Sequence, residues 1–425
     1  MRIRDWDQSL KVRLLGEGIM NVTFWMFFPF LAIYFADAFG KSTAGLLLIL
    51  SQIFSVMANL IGGYCADRFG RRYMMILAAI GQGLSFLLFA FANSPSYESA
   101  LLGFVAFSIA SVFGSLYWPA SQAMVADVVE EKDRSDVFAV FYTSINIAVV
   151  LGPILGGIFF FSYRFELMCF AALVCFTLAF ILFKWTEETV PVSNKERSLE
   201  GDTWFSVILA QVKDYRVIAS DKLFMLFVIA GILSAQTFMQ LDLLIPVYTK
   251  EVIDVQSIMS IGDWNLTITG EKAFGLLISE NGLLVALLTV VISKWATRFK
   301  EKNIFALSSI LYALSMWMFG LTEWFWGLVI AMGVFTFGEL MIVGLQQSFI
   351  SKLAPEDMRG QYFAAASLRY TLGRTIAPIS IPMTVWFGFL WTFTILALLA
   401  LVSAGIYYYM FIKYEQQRAG QLMGG

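Results

Sequence analysis

Gly63-Tyr64-Cys65-Ala66-Asp67-Arg68-Phe69-Gly70-Arg71-Arg72 lies between two apolar runs, each long enough to cross a bilayer at about 1.5 Å per helical residue. Such a segment reads as a tight reversal at the edge of a membrane. Gly70 permits the positive φ that a short turn needs, and Gly63 is expected to let a neighbouring backbone approach. Arg68, Arg71 and Arg72 hold the turn in the aqueous layer on the cytoplasmic side. Asp67 is the acid among these bases. It can pair with them or accept hydrogen bonds from the first turn of another helix, where the helix dipole favours a negative group. A contact of that kind would act as a conformational switch.

Composition agrees with a chain built for oil. Of its 425 residues 59% are apolar and 14% charged, whereas soluble domains hold about 45–50% and about 25%. A net charge of -2 argues against nucleic acid as a partner. There is no histidine, so proton chemistry falls to carboxylates. Cys65, Cys169 and Cys175 have no metal-ligand spacing and read as packing residues; no metal and no cofactor are expected. The charged stretch 1–13 precedes an apolar run too long for a signal-peptide core, which is read as a retained first span.

Apolar windows recur near 14–36, 44–65, 73–92, 100–126, 136–161 and 165–185, then near 222–248, 273–296, 303–321, 325–350, 360–385 and 387–412. Twelve crossings put both termini on one side. With the N-terminus inside, only Lys41, Arg164, Lys250 and Lys272 fall outside, Arg369 and Arg374 lie within a span, and all other basic residues are cytoplasmic. The polar stretch after Trp185 divides the chain into an N-terminal six-helix bundle, 1–185, a cytoplasmic linker, 186–221, and a C-terminal bundle, 222–425. Within the linker Trp204, Ile208, Val212 and Tyr215 share one face, as in a helix lying along the inner leaflet. Phe113-Gly114 to Pro153 is matched by Phe337-Gly338 to Pro378, an internal repeat. The segment around Gly262-Asp263 alternates as a short external hairpin would.

The pattern G-x-x-x-D-R-x-G-R-R resembles the loop joining helices two and three in the major facilitator superfamily, and every fixed position of it is filled by 63–72. The resemblance implies an all-α membrane fold of two pseudo-symmetric six-helix bundles. Gly152, Pro153, Gly156 and Gly157, in the run 148–157, resemble the fifth-helix signature of the antiporters in this superfamily, with Ala148 in place of its first glycine. Read from the residues, that run carries a small-residue packing stripe and a proline that removes a backbone hydrogen bond.

An ionised group at bilayer depth costs roughly 2.5–3.5 kcal/mol, so an acid there needs a reason. Two stand out, Asp242 in Met239-Gln240-Leu241-Asp242 and Glu339 in Phe337-Gly338-Glu339. A buried carboxyl can be neutralised by a proton or by a cationic substrate, and competition between the two is antiport. The local strings M-Q-x-D and T-x-G-E resemble those of LmrP-type proton-coupled multidrug antiporters, where the resemblance implies a role in proton coupling or cation recognition. It also makes Asp127, with Arg134 and Arg72 near Asp67, part of the switch. Departures are Phe141, where relatives have an acid, and the absence of an arginine from span four. Glu17 reads as an interfacial acid, and Arg369 and Arg374 as groups that neutralise Glu339 or meet an anion. Trp25, Phe28, Tyr117, Trp118, Phe141 and Phe238 are candidate walls of a cavity, where aromatic faces attract hydrophobic cations.

The expected protein is a proton-coupled multidrug efflux antiporter of the plasma membrane. It would be multi-pass, monomeric and driven by the proton gradient, and would export hydrophobic, often cationic compounds by alternating access. An uptake permease for a sugar or peptide is the alternative, since it would share the loop. No nucleophile-base pair, nucleotide loop or metal cluster points to an enzyme.

Overall fold

The computed structural model describes residues 3, 6–189, 220–261, 264–353 and 359–423. The chain divides into two compact units, 1–40 with 50–207, and 41–49 with 208–425. Where no water can hydrogen-bond the backbone, the helix satisfies each peptide group internally, and both units are built almost wholly from helices.

The first unit contains α1 (Gln8–Phe27), a 3-10 turn (Phe28–Phe30), α2 (Leu31–Phe39), most of α3 (Lys41–Phe69), α4 (Arg71–Phe91), α5 (Ala100–Val128), α6 (Glu131–Phe159) and α7 (Arg164–Trp185). A two-residue ladder, β1 (Asn93–Ser94) with β2 (Tyr97–Glu98), closes the turn between α4 and α5. The second unit contains α8 (Lys222–Phe238), a 3-10 turn (Met239–Asp242), α9 (Leu244–Val252), α10 (Gly270–Ala296), α11 (Glu301–Leu321), α12 (Phe325–Leu353), α13 (Arg359–Ile376), a 3-10 turn (Ala377–Ile379) and α14 (Ser380–Met423). Between α9 and α10, β3 (Val255–Ile261) pairs antiparallel with β4 (Trp264–Thr269), with an irregularity between Ser257 and Met259.

The two units repeat one packing scheme. In the first, α1 packs on α6 and α7, and α4 on α5 and α7; in the second, α8 packs on α13 and α14, and α11 on α12 and α14. Equivalent helices even start alike. The Asp7 carboxylate accepts from Ser9 N at 2.7 Å ahead of α1, and Asp221 accepts from Leu223 N at 3.0 Å and Phe224 N at 3.1 Å ahead of α8. Each first helix then breaks into a 3-10 turn, at Phe28–Phe30 or Met239–Asp242. Core clusters such as Phe227, Phe305, Phe349 and Tyr407 fill the second unit, while Leu287, Val290 and Val291 on α10 and Leu173 and Phe183 on α7 stay exposed, as lipid-facing side chains do.

Among the described residues ten segments are long and apolar enough to cross a membrane, against the twelve windows expected. The difference has local causes. The segment Ala366–Gln417 joins two expected spans, and Gly388, at φ +75°, breaks the helix within it. The expected fifth span lies in α6, of which the apolar part Thr143–Phe159 falls within the described residues.

At the reversal, Gly70 has φ +106° and ends α3. Gly63 does not provide the close approach expected of it: a Cβ there would meet nothing within 4 Å, whereas Gly62 faces the Leu116 Cα at 3.2 Å. The acid at the first turn of α4 is Glu188, whose Oε1 accepts from Arg71 N at 2.9 Å. Arg72 donates to the Phe183 carbonyl, and Arg68 is half-buried over the Phe69 ring at 5.9 Å. The Asp67 and Arg134 side chains lie outside the described residues, as does the linker helix with Trp204, Ile208, Val212 and Tyr215.

Gly152 and Gly156 show why a small-residue stripe is needed on α6. A Cβ at Gly152 would meet Val22 O at 3.0 Å and overlap Trp25, and one at Gly156 would overlap the Met26 carbonyl and the Phe30 ring. Pro153 is buried between them, and Gly157 is half-buried. Gly156→Leu is therefore expected to lower stability by about 1–3 kcal/mol through overpacking. Heating detergent-solubilised protein and measuring the soluble monodisperse fraction checks it; a melting curve equal to that of the parent chain would show that the stripe is not a packing seam.

Candidate functional site

Two helix breaks meet inside the second unit. The 3-10 turn Met239–Asp242 packs against the 3-10 turn Ala377–Ile379, where Pro378 cannot donate a backbone hydrogen bond. Gln240, fully buried, bridges them. Its Nε2 donates to Gln236 O at 2.9 Å and Ala377 O at 3.3 Å, and its Oε1 accepts from Ser380 Oγ at 2.6 Å. Carbonyls released by the breaks thus keep partners, and the residue two positions on, Asp242, is held at the end of the turn.

Asp242 is half-buried, and its Oδ1 is buried without a hydrogen-bond partner among the described residues. Such an oxygen is costly to leave unmatched. Arg374, exposed on α13, is close enough for direct attraction, and Asp242 in turn is felt by Glu339. Glu339 Oε2 accepts from Asn281 Nδ2 at 3.0 Å, and the same amide group reaches Thr336 Oγ1 at 2.9 Å. The neutral amide steadies the carboxylate without cancelling its charge.

Beside Glu339 a cavity of about 70 Å³ is lined by Gly231, Phe238, Tyr312, Arg369 and Tyr370 among others. Phe238 stacks on Phe335 with ring centres 6.0 Å apart, and Tyr370 Oη donates to Gln346 Oε1 at 2.9 Å. Arg369 is 2% exposed, donates to Ala366 O at 2.8 Å and lies 4.4 Å from the Phe227 ring centre. It fills the space that Gly231 leaves on α8, where a Cβ would overlap its side chain.

Of the acids and bases singled out in the sequence, the structure brings Asp242, Glu339, Arg369 and Arg374 into one unit and sets Arg374 within electrostatic range of Asp242. Glu280 was missed. It sits half-buried on α10, one residue before Asn281, in space left by Gly333, whose Cβ position would be 3.7 Å from Glu280 Oε1. The available signal was an acid well inside an apolar window.

In the first unit the expected aromatic wall separates. Tyr117 is in the core rather than on a cavity, 3% exposed, and its hydroxyl donates to Glu17 Oε1 at 2.8 Å. Phe141 is likewise core, stacked on Trp6 with ring centres 6.0 Å apart. Trp118 is 46% exposed, while Trp25 and Phe28 are half-buried and meet edge to face at 5.9 Å. Glu17, read as interfacial, is 6% exposed and ion-paired with Arg13, which is fully buried. Asp127, at the end of α5, pairs with Arg71 and accepts from Thr189 Oγ1 at 2.8 Å.

A match to the Major Facilitator Superfamily covers residues 14–269 and 264–422. The chain is 61% identical to a Na(+), Li(+), K(+)/H(+) antiporter of Planococcus maritimus, over 99% of this chain and 100% of that one. It is 24% identical to the multidrug resistance protein MdtH of Baumannia cicadellinicola, over 86% and 82% of the two chains. Among solved structures, a POT family transporter in complex with 5-aminolevulinic acid superposes with a TM-score of 0.77 at 18% identity, over 95% and 96%, a likeness of fold. Helical units of one repeated packing scheme agree with these matches: the chain belongs to the major facilitator superfamily.

Proposed function

We propose that this transporter is a proton-coupled antiporter of the plasma membrane that exchanges H+ for monovalent cations, with Asp242 and Glu339 as the exchanging groups. The observation that carries the reading is the unpartnered Oδ1 of Asp242 at the junction of two helix breaks, with Glu339 and Glu280 on neighbouring helices of the same unit. The full-length relative that bears an alkali-cation/proton antiporter name supports it. A proton or a cation neutralises the carboxylates, each excludes the other, and alternating exposure of the site to the two sides converts that exclusion into exchange. Arg374 lowers the need for a counter-ion at Asp242 without abolishing it, so bound cations remain releasable. In this reading the chain makes twelve crossings, with halves 1–185 and 222–425, a linker at 186–221 and both termini in the cytoplasm. Gly63–Arg72, with Asp127 and Arg134, changes state with it.

A second reading is export of hydrophobic organic cations by the same exchange. The MdtH relatives favour it, as do the aromatic side chains Phe238, Tyr312 and Tyr370 beside Glu339, each able to contribute about 0.5–2 kcal/mol to a bound cation.

Proteoliposomes holding a trapped pH indicator decide between them. With an acidic lumen, external NaCl, LiCl or KCl is expected to alkalinise the interior, and choline chloride is not. Asp242→Asn and Glu339→Gln are each expected to slow this at least about tenfold, about 1.4 kcal/mol, with unchanged insertion. Full rates in both variants would remove these carboxyls from the exchange. Alkalinisation by a cationic dye and by none of the alkali cations would leave the second reading standing and the first refuted.

A further inference from the structure

Arg13 and Glu17 lie one turn apart on α1, and both are withdrawn from solvent, their side chains 0% and 8% exposed. A buried ion pair is a poor stabiliser, since removing two charges from water offsets their attraction, and an apolar pair would fill the same space as well. Its presence in the interior of the bundle therefore calls for a use. The geometry around it is that of a cage. Arg13 Nη2 is 2.9 Å from Glu17 Oε1, 3.2 Å from the Ser121 carbonyl oxygen and 2.6 Å from Ser121 Oγ, while Nε is 3.0 Å from the same Glu17 oxygen. Tyr117 Oη, at 2.8 Å, and Ser121 Oγ, at 3.2 Å, donate to that oxygen as well.

Glu17 Oε1, the Ser121 carbonyl and the Ser121 hydroxyl converge on one point, with the Tyr117 hydroxyl behind the carboxylate, and such oxygens are the hard donors that bare monovalent and divalent cations select. Here the point is occupied by a guanidinium nitrogen. The fit is incomplete on the side of the guanidinium, because Arg13 Nη1 is buried with no hydrogen-bond partner among the described residues, and the Phe141 ring, centred 5.6 Å away, offers it only its face. Glu17 Oε2 accepts no hydrogen bond among the described residues. A tethered cation that uses part of its donors and part of the carboxylate is a displaceable one.

We propose that Glu17, with the Ser121 carbonyl and hydroxyl and the Tyr117 hydroxyl, forms a second alkali-cation site, in the first unit, which the Arg13 side chain fills as a built-in competitor. It rests on the cation-exchange reading above, but it is tested by binding rather than by transport. When Arg13 leaves the cage, Na+, Li+ or K+ takes the place of the guanidinium, and the site adds a cation to those held at Asp242 and Glu339. Arg13 thereby sets the affinity of the site: a competitor that is always present keeps it empty of external ions until the packing of α1 on α5 changes.

The test measures ²²Na+ binding by scintillation proximity on full-length detergent-solubilised protein carrying Asp242→Asn and Glu339→Gln, so that the acids of the second unit do not contribute. In that background Arg13→Gln is expected to tighten sodium binding at least roughly tenfold, the equivalent of removing one charge-assisted competitor bond. Adding Glu17→Gln is expected to abolish the gain, and adding Ser121→Ala to reduce it. Should Arg13→Gln not give a monodisperse protein, Arg13→Lys, whose single ammonium lacks the fork, is expected to tighten binding in the same direction. Sodium binding that is the same with and without Glu17 in the folded variants would overturn the proposal. Glu17-dependent binding together with no cation/proton exchange in proteoliposomes would uphold this site and refute the exchange reading alone.

Discussion

Gln240 is the interaction on which the second unit depends. A helix that breaks inside a membrane exposes carbonyls to oil, where each unmatched polar group costs several kcal/mol. Two such breaks face one another here, and one amide side chain serves both, donating to carbonyls of each strand of the junction and accepting from Ser380. Because the amide is neutral, it can hold the breaks together whatever the charge of its surroundings. Asp242 follows at the end of the turn and inherits the freedom this creates: its backbone is fixed, while its Oδ1 is left without a partner among the described residues.

The two units share a packing scheme and differ in charge. Spans that begin with an aspartate cap and continue through a 3-10 break occupy the same places in both. At the first break the neighbours are aromatic, with Phe30 stacked near Phe160 at 5.9 Å, and the acid lies further back on α1, matched by Arg13. At the second break the acid is on the turn itself, with Glu280 and Glu339 on the adjoining α10 and α12 and with Arg369 and Arg374 on α13. Packing conserves volume and helix rotation, which a repeat can copy. Charge depends on single positions, which the halves fill independently.

Much of the architecture could be read from residues because apolar length, turn glycines and basic residues at span ends act locally along the chain. Gly70 and the stripe through Gly152 and Gly156 are of this kind, since a positive φ and a missing Cβ are properties of one position. Rotation about a helix axis is different. Gly62 and Gly63 are equally small, and only the neighbouring helix decides which of them faces Leu116. Tyr117 and Phe141 were placed on a cavity wall because aromatic side chains suit both a core and a pocket; their burial depends on α1 lying against α5 and α6. Glu280 was obscured for a related reason, as its window still averages as apolar. The Arg13–Glu17 pair did carry a local signal, an opposite charge four residues away on one helix face. A span end that could have been interfacial proved to be interior.

The cost of bare charge also explains why exchange, under the function proposed here, would be strict rather than leaky. A carrier that changed its exposure with Asp242 and Glu339 both empty and ionised would carry uncompensated carboxylates through a region closed to water. At roughly 2.5–3.5 kcal/mol per charge, that path is suppressed at least about a hundredfold relative to one in which a proton or cation is bound. Arg374 can relieve one of the two acids but not both, and the Asn281 amide relieves Glu339 only by a hydrogen bond. The acid that Arg374 leaves unrelieved is thus what forbids the empty crossing. Arg369, which lines the same cavity as Glu339, is held between Gly231 and the Phe227 ring and donates to the Ala366 carbonyl rather than to a carboxylate.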